Sequence, residues 1–220
     1  MHLPLSPTTH ARRRPRPATT AALVAGVSAL VLAVLTGLPT SSAAPAPAAP
    51  TTTHRSAAAG ETGVFARTKP QAKVRVRRGA AREVGMRFRP RTAGTAVGVR
   101  YFKPMRWKAA TPKRATLWTN RGKKLATTRI RPVKGVGWRR ISFTSPVALT
   151  SRTTYVVSVH TRPKGIHAVT PGGFRRQQVT SHLRAPGGRN GVSRTTSTTG
   201  FPKAADGRRS NFWVDVRFVP

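Results

Sequence analysis

Basic side chains stand in adjacent pairs along this sequence: Lys123-Lys124, Arg139-Arg140, Arg175-Arg176 and Arg208-Arg209, with a denser cluster from Arg75 to Arg78. On a loop, neighbouring guanidinium groups present planar forks that match phosphate or carboxylate. Arg175, Arg176, Arg208 and Arg209 lie in such a stretch and are the first candidates for ligand binding. Arg139 and Arg140 lead into the alternating residues Ile141 and Phe143, so one of them must share the apolar side and snorkel at the strand end. Trp107, set among Lys103, Pro104, Arg106 and Lys108, is the aromatic residue best placed to be an exposed platform for a sugar face. The whole chain carries 41 Lys and Arg against four Asp and Glu, a formal charge of +37 over 220 residues. Polyanions are its default partners. A solvated basic surface without a specific partner is the competing reading.

Reaction chemistry finds little to work with. There is no cysteine, which removes thiolate catalysis, thiolate zinc sites and iron–sulfur clusters. Glu83, Asp206 and Asp215 are the only carboxylates between Val64 and the C-terminus, and they form no paired motif of the kind glycoside hydrolysis uses. Asp215, in a chain so poor in acids, is expected to take a guanidinium partner. His160, His167 and His182 match no local metal-ligand spacing, the positive surroundings oppose a cation, and no Gly-x-Ser-x-Gly elbow is present. No catalytic residue, metal or cofactor is therefore expected, and the domain is read as non-enzymatic.

The elements that must position these residues are short and alternating. Residues 1–43 have the order of a secretory signal: a basic stretch at Arg12-Arg13-Arg14-Pro15-Arg16, an apolar run from Ala18 to Leu38, then small residues with cleavage expected after Ala43. The alternative is an uncleaved anchor, the one route to a membrane that the sequence offers. The paired arginines hint at twin-arginine export, although Pro15 and Pro17 stand where that signal is usually apolar. Residues 44–63 are mostly Ala, Pro and Thr and read as a disordered linker. From Val64 onward the period is two rather than 3.6. Val84, Met86 and Phe88 share a face, as do Val97, Val99 and Tyr101, then Ile141 and Phe143, then Tyr155, Val157 and Val159, then Phe212, Val214, Val216 and Phe218. Ala115 and Leu117 lead into Asn120-Arg121-Gly122, after which Leu125 to Ile130 can return as a hairpin. Trp118 and Trp213 oppose the apolar parity of their strands and are expected on a second, partly covered face; Trp138 is open. The stretch from Pro171 to Arg209 resists strand assignment and reads as extended loops. The fold class is all-β, an antiparallel β-sandwich or jelly roll of about eight strands over residues 64–220.

The order of motifs resembles the bacterial family known as domain of unknown function 4082. The resemblance is carried by Val99-Arg100-Tyr101-Phe102-Lys103, Leu117-Trp118, Gly122 with Leu125-Ala126, Gly137-Trp138, Pro146-Val147, Thr153 to Ser158, Asn190-Gly191-Val192, Phe201-Pro202 and Asn211 to Val216. It implies an exported β-sandwich and supplies no catalytic residues. This chain departs from the family in its basicity, with Arg131 to Lys134 and Arg139-Arg140 where neutral or acidic residues are common. The expectation is thus an extracellular or cell-surface binding module. Its partner would be an anionic polymer such as teichoic acid, lipopolysaccharide, acidic polysaccharide or extracellular DNA. The alternative is a carbohydrate-binding or structural accessory domain that uses aromatic platforms, its charge nonspecific.

Overall fold

The computed structural model describes residues 60–65, 68, 70 and 75–220. The leader, the linker before Gly60, and the side chains of Arg75 and Arg77 lie outside the described residues. Thirteen strands and a single 3-10 turn, η1 (Lys108–Ala110), follow one another in the described chain. The increase over about eight comes from short edge strands.

β1 (Arg75–Gly79) and β8 (Gly165–Val169) form a separate antiparallel ribbon. The large sheet is built on β2 (Arg82–Pro90) and β7 (Tyr155–His160), extended beyond β7 by β4 (Arg114–Thr119) and β5 (Lys124–Arg129). Along its other edge β2 pairs first with β11 (Gly191–Thr195) and then with β10 (Leu183–Ala185). These carry β12 (Ala204–Ala205) and β9 (Gln178–Val179). The facing sheet has three strands in the order β13 (Val214–Val219), β3 (Gly94–Lys103), β6 (Gly137–Leu149). All pairings are antiparallel, and β13 packs across β2 and β7 to make a sandwich.

Alternation decides what lies between the layers. Val84, Met86, Phe88, Val157, Val159 and Leu117 from the large sheet meet Val99, Tyr101, Phe143, Val214, Val216 and Phe218 from the small one in a single buried cluster. The hairpin forms as the sequence predicts, with Gly122 in the left-handed region at φ +92. Val97 departs from its expected face. Register slips around it on both sides, so this bulged residue is only partly buried and Ala96 takes the inward position beside Val99. One extra residue inverts parity, as a bulge must.

The stretch from Pro171 to Arg209 is not purely loop, since β9, β10, β11 and β12 lie within it. β10 and β11 hold by backbone pairing to β2, and β9 and β12 by pairing to them in turn, rather than by a long apolar stripe. In β11, Val192 is the sole large apolar residue of Gly191–Thr195, which is why alternation does not reveal it.

The outer faces of both sheets are also covered. On the large sheet, Trp118, Val156 and Val192 form a second cluster capped by Phe201. Beside it, Trp118 donates from Nε1 to Ser158 Oγ at 2.8 Å, and that hydroxyl donates to Glu83 at 2.6 Å. On the small sheet, residues 61–65 run as a strap. Thr62 bridges Phe218, and Val64 and Phe65 donate their amides to Asp215 at 3.0 Å each. Glu61, three residues ahead of Val64, already belongs to this packing through Arg217 and Arg140.

Candidate functional site

Three of the four loop arginines expected to bind come together at one place. Arg175, Arg208 and Arg209, with Pro171, Gly172 and Gly207, line an open concavity of about 410 Å³. All three side chains are exposed and no carboxylate lines the surface. Arg176 is also exposed but lies off this lining.

The concavity is built by two loops zipped to each other. Thr170 and Asn211 exchange both backbone bonds at 2.9 Å, Gly172 donates to the Arg208 carbonyl at 2.9 Å, and Phe174 donates to the Arg209 carbonyl at 2.9 Å. Gly172 holds φ +70, and Arg209 takes the same left-handed region at φ 56. Phe174 anchors the first loop. Its ring is fully buried, 6.0 Å from Phe65, which lies 5.4 Å from Trp213. The next residue, Arg175, is thereby turned outward. Asp206 anchors the second loop by accepting the Ser210 amide at 3.0 Å on its side chain and the Arg209 amide at 3.0 Å on its carbonyl. Guanidinium groups on so braced a backbone lose less freedom on binding than they would on a mobile loop.

Arg208 also borders a smaller pocket of about 70 Å³, shared with Arg82, His167, Ser193, Asp206, Ser210 and Phe212. That is room for roughly two waters or one small polar group. Unlike the outer concavity it contains a carboxylate, and so offers an acceptor as well as cations.

The other predicted residues lie elsewhere. Arg140 is committed to Glu61 at 2.5 Å, and Arg139, on the inward parity of β6, bends back to the Val136 carbonyl at 2.9 Å. The pair therefore divides as alternation demands, one outward and one snorkelling, and neither lines the concavity. Trp107 is 62% exposed, as its setting predicts, whereas Trp118 and Trp213 are buried. Trp138, left open by the sequence, is partly buried against the core, donates to the Thr68 carbonyl at 3.0 Å and carries the Arg100 guanidinium 4.6 Å above its ring. Asp215 takes its guanidinium from Arg100 at 2.7 Å. Burial pushes the Asp215 carboxyl up, opposed by Arg100 and by the amides of Phe65 and Val64.

Sequence reasoning did not find Lys103 as a buried group, nor the contact of Glu83 with Ser158 and His160. In the latter, His160 Nδ1 lies 3.3 Å from one oxygen of Glu83 and Ser158 donates to the other. The carboxylate stands between hydroxyl and imidazole, the reverse of an order that would activate the serine. His167 lies on β8 and His182 beside Thr92. Among the described residues no three His, Asp or Glu side chains gather as a metal site.

No curated protein sequence matches the chain. The family model described as a domain of unknown function, DUF4082, matches residues 49–214. That match takes in the strap, both sheets and the paired loops up to the first residue of β13, and the chain belongs to the DUF4082 family.

Proposed function

We propose that this domain is a secreted, non-catalytic binding module that docks on an anionic cell-surface or extracellular polymer. The observation that carries the reading is the convergence of Arg175, Arg208 and Arg209 on one open, carboxylate-free concavity. Two segments more than thirty residues apart in sequence supply them. The four Asp and Glu side chains stand off the concavity's lining, Glu61 and Asp215 paired with arginines, Glu83 with Ser158 and His160, and Asp206 bonded within the adjoining turn. An incoming phosphate or carboxylate thus meets guanidinium groups with no internal anion to displace. Such contacts weaken with salt as counterions compete.

The test is retention of the full chain on immobilised teichoic acid, DNA and neutral glycan across a salt gradient. The wild type is compared with the triple variant Arg175→Glu, Arg208→Glu, Arg209→Glu and with a control reversing the exposed Lys123, Lys124 and Arg129. The reading expects one polyanion to be held near physiological salt, and that hold to be lost in the site variant and kept in the control. Equal losses in both variants on every polyanion would show the charge to be nonspecific.

A further inference from the structure

Three large apolar side chains are exposed among the described residues, Trp107, Val136 and Val179, and a single buried cation ties the loops of the first two together. Lys103 ends β3 on the inward parity and is fully buried. Its ammonium donates to the Arg106 carbonyl at 3.0 Å and to the Gly135 carbonyl at 3.1 Å. The two oxygens therefore lie within about 6 Å of each other. Each belongs to the residue immediately before an exposed apolar side chain. Desolvation and then the charge of Arg139 lower the Lys103 pKa, so placing an ammonium here costs free energy that the two loop carbonyls must offset. The arrangement ties together the backbone of the two loops at the residues just ahead of Trp107 and Val136.

The surroundings of this tip select its partner. Arg106, Lys108 and Lys134 are exposed around it. All three are donors only, and the chain's carboxylates are engaged at other places. A neutral sugar stacked on Trp107 could accept hydrogen bonds from these side chains but would leave their charge uncompensated, which an anionic partner does not. An anionic lipid surface needs an amphipathic aromatic ring, further exposed apolar side chains and cations, and the two loops that Lys103 joins carry all three. We propose that Trp107 and Val136 form a loop-tip anchor that enters the headgroup layer of a bilayer containing anionic lipid, with Arg106, Lys108 and Lys134 on the lipid phosphates.

This surface is separate from the arginine concavity, though both open at one end of the sandwich. β13 begins with Val214 opposite Tyr101, and β6 begins with Gly137 opposite Lys103, so the loops before β13, after β3 and before β6 are neighbours.

The experiment uses the full chain with vesicles of equimolar phosphatidylcholine and phosphatidylglycerol, carrying brominated acyl chains to quench tryptophan. Any binding through the leader is common to all variants and cancels in the comparison. Trp107→Ala should weaken vesicle binding roughly tenfold, the effect of withdrawing one aromatic anchor, and abolish the quenchable part of the emission. Val136→Ser should weaken binding less. Retention on soluble polyanion should be unchanged in both, which separates this inference from the polymer reading. Equal binding and equal quenching in wild type and Trp107→Ala would overturn it, as would binding that salt removes alike from both.

Discussion

Replacing Asp215 by Asn tests the idea that one carboxylate fastens the strap to the sandwich. Four donors converge on it: the amides of Val64 and Phe65 at 3.0 Å, and Arg100 Nε and Nη2 at 2.9 and 2.7 Å. Asparagine keeps the shape but exchanges one acceptor oxygen for a donor, so at least one buried donor must face an NH₂ group. Removing one partner from a buried ion pair costs about 3–5 kcal/mol. Relief from burying the charge, whose desolvation pushes the Asp215 carboxyl up, places the expected loss at the lower end, about 3 kcal/mol. For a domain of this size that corresponds to a fall in Tm of roughly 6–12 °C. Guanidinium denaturation followed by tryptophan fluorescence measures the loss. Hydrogen exchange at the Val64 and Phe65 amides locates it, since both should exchange faster in the variant while amides of β2 and β7 are slowed or hastened only by the global change. A loss below about 1 kcal/mol, with those two amides still protected, would refute the assignment of Asp215 as the fastening point.

Two further stability predictions complement the polymer and vesicle tests. Gly85 lies in the centre of the large sheet, where an added Cβ would overlap the Val157 carbonyl oxygen of the paired strand. Gly85→Ala should cost about 2–3 kcal/mol or more, read as a lower urea midpoint, and wild-type stability would show that β2 and β7 can separate without penalty. Glu61 titrates in the opposite direction from Asp215. Burial alone would raise its carboxyl, but the hydrogen bonds and charges of Arg217 and then Arg140 hold it below the ordinary range. A depressed folded pKa contributes stability that is complete above the ordinary carboxylate pKa and disappears as pH falls through the depressed value. The stability gap between wild type and Glu61→Gln, about 1–2 kcal/mol at neutral pH, should therefore close in acid; a gap independent of pH would mean that the ion pairs contribute nothing.

The central strands were legible in the sequence because the face each turns to the interior between the sheets is apolar at every alternate position, even where the outer face is buried too. Val84, Met86 and Phe88, or Tyr155, Val157 and Val159, announce their pairing by parity alone. What parity cannot carry is a slip in itself, and Val97 shows this. It looks inward by count and is displaced because two neighbouring strands advance past it. β11 escaped notice for a different reason, since its hydrogen bonds to β2 need no side-chain pattern. At the candidate site the residue types were legible and the grouping was not. Arg175 and Arg208 meet because Thr170 pairs with Asn211 and Phe174 is drawn under Phe65, contacts far apart in sequence. Lys103 could be placed on the inward side by counting from Tyr101, yet only the two carbonyls above it explain why a lysine can stay there.

The strap also determines how the domain would respond to force. Thr62 runs antiparallel to Phe218, so tension applied to the chain ahead of Gly60 would be transmitted to the edge strand β13 through one backbone bridge, the Asp215 clasp and the paired arginines of Glu61. With no cysteine available, this junction contains only bonds that can break and reform without a redox partner. Such a junction can open under load and close again once the load is removed.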